Sequence, residues 1–250
     1  MIGFKAGMRT IHLAETDSTN SYAARLLHLE IPEEGTVIMA DFQKAGRGQR
    51  GSGWESESGK NLIISYILYP NFLKIADQFA LNQAIALAVT EFIRKMIPAE
   101  TYIKWPNDVI TDGQKIAGIL VENSIRGNQI THSIIGMGIN INQTNFEMYS
   151  PQATSLKMVA QRDFDLKKCL SELNSSVEKW YSVLRLSNFK KLNEEYSNSL
   201  FRNGKRSEFE SKGQKFWGTI KGVNAEGKLQ ITDDEGNTSL FMNKEVSFIF

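Results

Sequence analysis

Residues 43–54 read QKAGRGQRGSGW, and within them Gly46-Arg47-Gly48-Gln49-Arg50-Gly51 spells G-x-G-x-x-G. If this is a dinucleotide fingerprint, the chain is a doubly wound parallel α/β protein. If not, the fold class is open. A fingerprint of that kind must run directly into a helix whose N-terminus holds the pyrophosphate. The residues that follow, GSGWESESG at 51–59, hold three glycines in nine positions. Each glycine costs about 1 kcal/mol in a helix interior. An acidic residue about 20 positions on is also required, and that region, SYILYPNF at 65–72, has none. The loop therefore serves another purpose. Gly46, Gly48, Gly51 and Gly53 let backbone amides approach a ligand closely. Arg47 and Arg50 add guanidinium forks suited to carboxylate or phosphate, and Trp54 can cover an aromatic or apolar ligand face. The same residues would also suit a plain surface loop.

Outward from the loop, the pattern is α+β. Asp17-Ser-Thr-Asn20 offers capping residues ahead of an amphipathic helix at about 18–28. TVIMADF (36–42) and NLIISYILY (61–69) read as strands on either side of the loop. Asn71 is placed to cap a long helix over 73–97, which Pro98 ends. TYIKW (101–105), VIT (109–111), KIAGILVEN (115–123) and HSIIGMGINI (132–141) follow as strands joined by short turns, so the sheet is expected to be mixed and largely antiparallel. Helices are expected at 165–187 and 188–199. From residue 200 the chain turns to short β runs, FWGTIKGV, GKLQIT, TSLFM and VSFIF. The reading is a domain over 1–199 and a small β barrel over 200–250.

Composition narrows the function. The 250 residues are 41% hydrophobic with a net charge of +1. Residues 201–250 hold eight Lys/Arg and seven Asp/Glu, so neither the whole nor the barrel carries a basic footprint for nucleic acid. The apolar run at 62–69 is too short to span a bilayer, and the N-terminus lacks a signal-peptide core. A cytoplasmic protein is expected. Cys169 is the single cysteine and sits at an apolar helical position. His12, His28 and His132 form no triad with a serine, and no covalent nucleophile stands out.

Other polar stretches have both bland and functional readings. Ser18, Thr19 and Asn20 serve as caps or as ligand donors. Gln43 ends a strand or faces a ligand. Lys104-Trp-Pro-Asn-Asp108 is an ordinary turn, or places Asn107 on a base or sugar and Asp108 on Mg²⁺. Lys115 follows the Asp112-Gly113 turn, and Gly118 leaves the strand bare for a ligand. Asn140 and Asn142 alternate with isoleucines and so share a strand face.

DSTN (17–20), QKAGRGQRGSGW (43–54), KWPND (104–108), KIAGILVE (115–122), GMGINI (136–141) and ATSL (153–156) occur in that order. Together they resemble biotin protein ligase, the biotin–[acetyl-CoA-carboxylase] ligases. That resemblance implies the class II synthetase-like biotin/lipoate ligase fold with an SH3-like C-terminal barrel. It implies an AMP-forming reaction: biotin carboxylate attacks the α-phosphorus of Mg-ATP, and a lysine of a biotin carboxyl carrier protein then attacks the acyl carbon of biotinyl-5′-AMP. Both attacking groups belong to substrates, which accounts for the missing nucleophile. Carried over by position, Ser18, Thr19, Asn20 and Gln43 would bind biotin's ureido end. Gly46, Arg47, Gly48, Lys115 and Gly118 would hold its chain and carboxylate, with Arg47 and Lys115 acting in catalysis. Arg47, Arg50, Trp54, Asn107 and Asn140 would meet the nucleotide, and Asp108 the Mg²⁺.

The family loop often reads GRGRRGR-x-W. Here Gln49 and Ser52 stand in place of two arginines, which predicts a leakier adenylate. Only sixteen residues precede Asp17, so no N-terminal DNA-binding domain and no operator binding are expected. The resemblance admits a monomer or a homodimer paired through the central sheet. Lipoate–protein ligase shares the fold and chemistry, and a non-catalytic biotin sensor is the alternative from another class. DSTN and GRGQRG favour biotin over lipoate, and Arg47, Asp108 and Lys115 favour an enzyme over a sensor.

Overall fold

The computed structural model describes residues 4–49, 53–147 and 151–249. Its architecture follows from strands whose two faces carry different residues. A seven-stranded sheet runs in the order β1-β2-β3-β7-β6-β5-β4. Its strands are β1 (Thr10–Thr16), β2 (Thr36–Gln43), β3 (Leu62–Leu68), β4 (Thr101–Lys104), β5 (Asp108–Thr111), β6 (Gln114–Arg126) and β7 (Gln129–Ile139). Only β1 and β2 pair in parallel; every other neighbour is antiparallel.

Period-two alternation sorts the side chains of the central strands. Leu62, Ile64, Tyr66 and Leu68 of β3 and Ile135, Met137 and Ile139 of β7 enter the main core. There they meet helix α2 (Phe79–Met96), helix α4 (Leu166–Arg185) and helix α5 (Phe189–Ser199). The opposite face is covered only in part. Helix α1 (Thr19–Leu29) lies on it and packs Ala23 against Ile38, Ile67 and Ile134. Beyond α1 that face carries Ser65, Gly136, Gly138 and Gly118, small residues that leave a trough.

Helix α3 (Leu156–Ala160) is capped by Ser155, whose hydroxyl accepts from the Met158 amide. Asp165 caps α4 and Asn188 caps α5 in the same way. The C-terminal sheet is antiparallel with five strands, in the order β11-β10-β9-β8-β12. These are β8 (Arg206–Ser211), β9 (Gln214–Val223), β10 (Leu229–Asp233), β11 (Thr238–Phe241) and β12 (Ser247–Phe248). It forms the SH3-like module. Its buried Phe209, Ile220, Leu229, Ile231 and Val246 belong to the same cluster as the main core. The Trp105 indole N–H donates to the Gly227 carbonyl at 2.9 Å, and the Phe201 amide donates to the Ile103 carbonyl at 2.8 Å. Among the described residues no helix is long and apolar enough to cross a membrane.

Several expectations needed correction. The long helix begins at Phe79, not at 73. Lys74 is extended and bridges to Gln129, and only a 3-10 turn, Ile75–Asp77, precedes the helix, so Asn71 caps nothing. Strand β1 was missed because TIHLAET is mostly exposed and shows little apolar signal. β7 ends at Ile139, so Asn140 and Asn142 lie past it in a loop rather than along a strand face.

Candidate active site

The uncovered part of the sheet, the glycine loop, the 104–108 turn and the β11–β12 loop together enclose a cleft of about 490 Å³. At one end stands the first turn of α1. Ser18 occupies the N-cap with extended backbone, yet its hydroxyl makes no capping bond. The Gln43 carbonyl oxygen does that work instead, accepting from the Thr19 amide at 2.7 Å and the Thr19 hydroxyl at 3.1 Å. Ser18, 4% exposed, lines the cleft. Asp17 anchors the turn from outside through a two-pronged pair with Arg25 at 2.8 and 2.9 Å. The guanidinium holds the Asp17 carboxyl well below the usual range.

Asn20 is fixed at both ends. Ser65 Oγ lies 2.6 Å from Asn20 Oδ1, and Asn20 Nδ2 donates to Glu122 Oε2 at 2.7 Å. The amide lies against Gly136, where a Cβ would stand 2.5 Å from Asn20 Oδ1. Ser65 and Glu122 were not singled out in the sequence. Both are polar residues at every-second positions of apolar strands, on the face shared with Gly118 and Gly136.

The other end is cationic. Lys115 Nζ lies 2.8 Å from Asp108 Oδ1, and Lys104 Nζ 3.7 Å from Asp108 Oδ2. Burial holds the Lys104 ammonium below the usual lysine range; Asp108 opposes that shift and Lys115 adds to it. Lys104 also lies over the Phe248 ring of the C-terminal module, 5.5 Å from its centroid. Arg47 lines the cleft but reaches the Asn20 end, where its Nη2 donates to Glu122 at 3.0 and 3.1 Å.

Between the two ends lies Trp54. A Cβ on Gly138 would stand 2.1 Å from its ring, and one on Gly118 2.9 Å. The bare strand at Gly118 therefore admits the indole, and not a ligand directly. Lys115 Nζ sits 5.6 Å from the ring centroid, and the Trp54 Nε1 donor is buried without a partner among the described residues. The loop closes on itself through the Trp54 amide and Gly46 carbonyl at 3.0 Å, and a Cβ on Gly46 would strike that same Trp54 backbone at 2.3 Å. Gln49 accepts a hydrogen bond from Asn243 Nδ2 of the C-terminal module. Arg50, Gly51 and Ser52 lie outside the described residues.

Two asparagines hold the fold. Asn107 lines the cleft, but its Nδ2 donates to the Ile119 carbonyl at 2.8 Å. Asn140 lies outside the cleft lining, 3% exposed, with Nδ2 on the Thr154 carbonyl at 2.9 Å. Asp108 does not fit Mg²⁺ as the protein stands. A hard cation needs several oxygen ligands, but both Asp108 oxygens face ammonium groups. No cluster of three or more His, Cys, Asp or Glu suited to a metal exists among the described residues. Cys169 is fully buried, and burial pushes its thiol up to about 11, which removes it as a nucleophile.

Comparison with known proteins agrees with this geometry. A family model described as the biotin/lipoate A/B protein ligase family matches residues 13–140. The bifunctional ligase/repressor BirA of Bacillus subtilis is 30% identical over 246 residues, covering 96% of this chain and 75% of that protein. The biotin–[acetyl-CoA-carboxylase] ligase of Mycobacterium tuberculosis is 32% identical over 188 residues, covering 72% of this chain and 68% of that protein. Among solved structures, the biotin protein ligase of Aquifex aeolicus in complex with biotin and ATP superposes with a TM-score of 0.80 at 26% identity, covering 97% of this chain and 99% of that one.

Proposed function

This chain belongs to the biotin/lipoate A/B protein ligase family, and from that premise we propose how its cleft works. The protein is an ATP-dependent, AMP-forming biotin–protein ligase. Biotin carboxylate attacks the α-phosphorus of ATP, forming biotinyl-5′-AMP as pyrophosphate leaves. A lysine amine of a biotin carrier then attacks the acyl carbon, and AMP leaves.

The observation that carries the assignment of ends is the division of one cleft into an end of hydroxyls and amides and an end that holds two lysines. Ser18, Thr19, Asn20 and Gln43 offer hydroxyls and amides, which suit the uncharged, directional ureido ring of biotin. Lipoate has no such ring and would leave the directional donors and acceptors at that end unused. Lys115 and Lys104 suit the carboxylate and phosphates. In-line attack on phosphorus spreads negative charge over equatorial oxygens, and the enzyme's task is to place and neutralise it. Lys115, beside the Trp54 ring, is positioned for that charge. Arg47 joins it from the loop, and the loop glycines let backbone amides close on the same anion. Asp108 holds the two lysines apart and oriented. Mg²⁺ enters as the substrate complex with ATP. Asn107 braces the turn on the nucleotide side.

ATP–pyrophosphate exchange with biotin, with lipoate and with neither tests this reading. Exchange with biotin alone is expected. Arg47→Ala and Lys115→Ala should each lower it by about 10²–10³, the usual loss when one preorganised charge contact is removed. Exchange with lipoate alone would reassign the Ser18–Asn20 end.

A further inference from the structure

Glu122 bonds both Asn20 and Arg47 and so joins the α1 end of the cleft to the glycine loop. It stands on β6 two positions beyond Leu120 and four beyond Gly118, both of which line the cleft, so it shares their face. Its Oε2 accepts from Asn20 Nδ2 at 2.7 Å and from Arg47 Nη2 at 3.0 Å; its Oε1 lies 3.1 Å from the same Arg47 nitrogen. The Arg47 guanidinium, needed for a substrate anion, is thus already paired with a carboxylate of the protein. Asn20, needed for a neutral ring, is oriented by that same carboxylate, with Ser65 fixing the amide's other end.

We propose that Glu122 is a positioning residue with two separable effects. Its oxygen acceptor orients the Asn20 amide. Its charge competes with the ligand's anionic end for Arg47, and so sets the affinity of the cleft for carboxylate. The proposal rests on the ligase reading, in which biotin is the ligand and Arg47 meets its carboxylate. The pair is suited to exchange. Side-chain exposures of 47% for Arg47 and 38% for Glu122 leave it in contact with water, where ion pairs are weak. The Asn20 bond is shorter and more enclosed, and it stays when Arg47 moves to the ligand.

The test separates charge from acceptor in both protein and ligand. Binding of biotin and of biotin methyl ester is measured by calorimetry for the full chain and for Glu122→Gln and Glu122→Ala. Glutamine keeps an oxygen for Asn20 but carries no charge to form the ion pair with Arg47. Glu122→Gln is expected to bind biotin about three- to fivefold tighter, with the ester within twofold of wild type. Glu122→Ala is expected to weaken the ester roughly tenfold through the lost Asn20 acceptor, while keeping the raised biotin-to-ester ratio. An unchanged ratio in Glu122→Gln, or equal weakening of both ligands in both variants, would overturn the proposal while leaving the ligase reading intact. A wild-type protein that binds neither ligand would instead remove the ligase reading and this proposal with it.

Discussion

Gly138 shows how one missing methyl shapes the cleft. Its Cα faces the Trp54 indole so closely that a Cβ would lie 2.1 Å from the ring. Gly138→Ala must push the indole off the sheet, and overpacking of this kind typically costs about 1–3 kcal/mol. In a Trp54→Ala background the same change should cost far less. Denaturant unfolding of the two single variants and the double variant closes that cycle; equal costs in both backgrounds would mean that the ring does not depend on the glycine. GMGINI counts in the sequence only as one of the stretches that carry the resemblance; among the strand glycines, Gly118 alone reads there as a place of close approach. What approaches it was not legible. Trp54 lies far away along the chain, and only the pairing of β3, β7 and β6 brings the loop over them. Glu122 was illegible for the same reason, since its partners Asn20 and Arg47 come from a helix and a loop that no local pattern connects to β6.

At the scale of elements, the strands of the sheet were legible wherever apolar residues ran together, as in LIISYILY, or where a turn marked their ends, as at Asp112-Gly113. The exposed edge strand β1 offered neither signal. The start of α2 was misplaced because the helical spacing of Ile75 continues back through a 3-10 turn. Helix α1 is the instructive case. DSTN reads equally as a cap and as a ligand-binding group, and in the structure Gln43 takes over part of the capping. By accepting from the Thr19 amide, Gln43 meets part of the helix's need for a cap, and the Ser18 side chain makes no capping bond. One glutamine at the end of a strand thereby does part of the work expected of a serine at the start of a helix.

In the whole molecule, the cleft is bounded by both sheets. The change from helix to short β runs near residue 200 was plain in the sequence, but the seam was not. Trp105 reaches Gly227, Lys104 lies over Phe248, and Gln49 meets Asn243. The last contact bears on the leak expected from losing an arginine at position 49. The neutral amide links the glycine loop to the C-terminal module, a hydrogen bond worth about 0.5–1.5 kcal/mol. Asn243→Ala should therefore speed escape of biotinyl-5′-AMP roughly two- to tenfold while biotin affinity stays within twofold. Release into a chase of unlabelled biotin measures it; an unchanged rate would assign retention of the adenylate elsewhere.

The indole resting on Gly118 and Gly138 also has a thermal consequence. Heat capacity falls on binding in proportion to the apolar surface that loses water. Here the protein's own ring has already dried that part of the trough, so a ligand arriving beside it has less hydration to shed. The heat-capacity change for biotin should be less negative in the wild type than in Trp54→Ala, where the strand floor stands wet until the ligand comes. The tryptophan would then have moved part of the cost of dehydration from the moment of binding to the moment of folding.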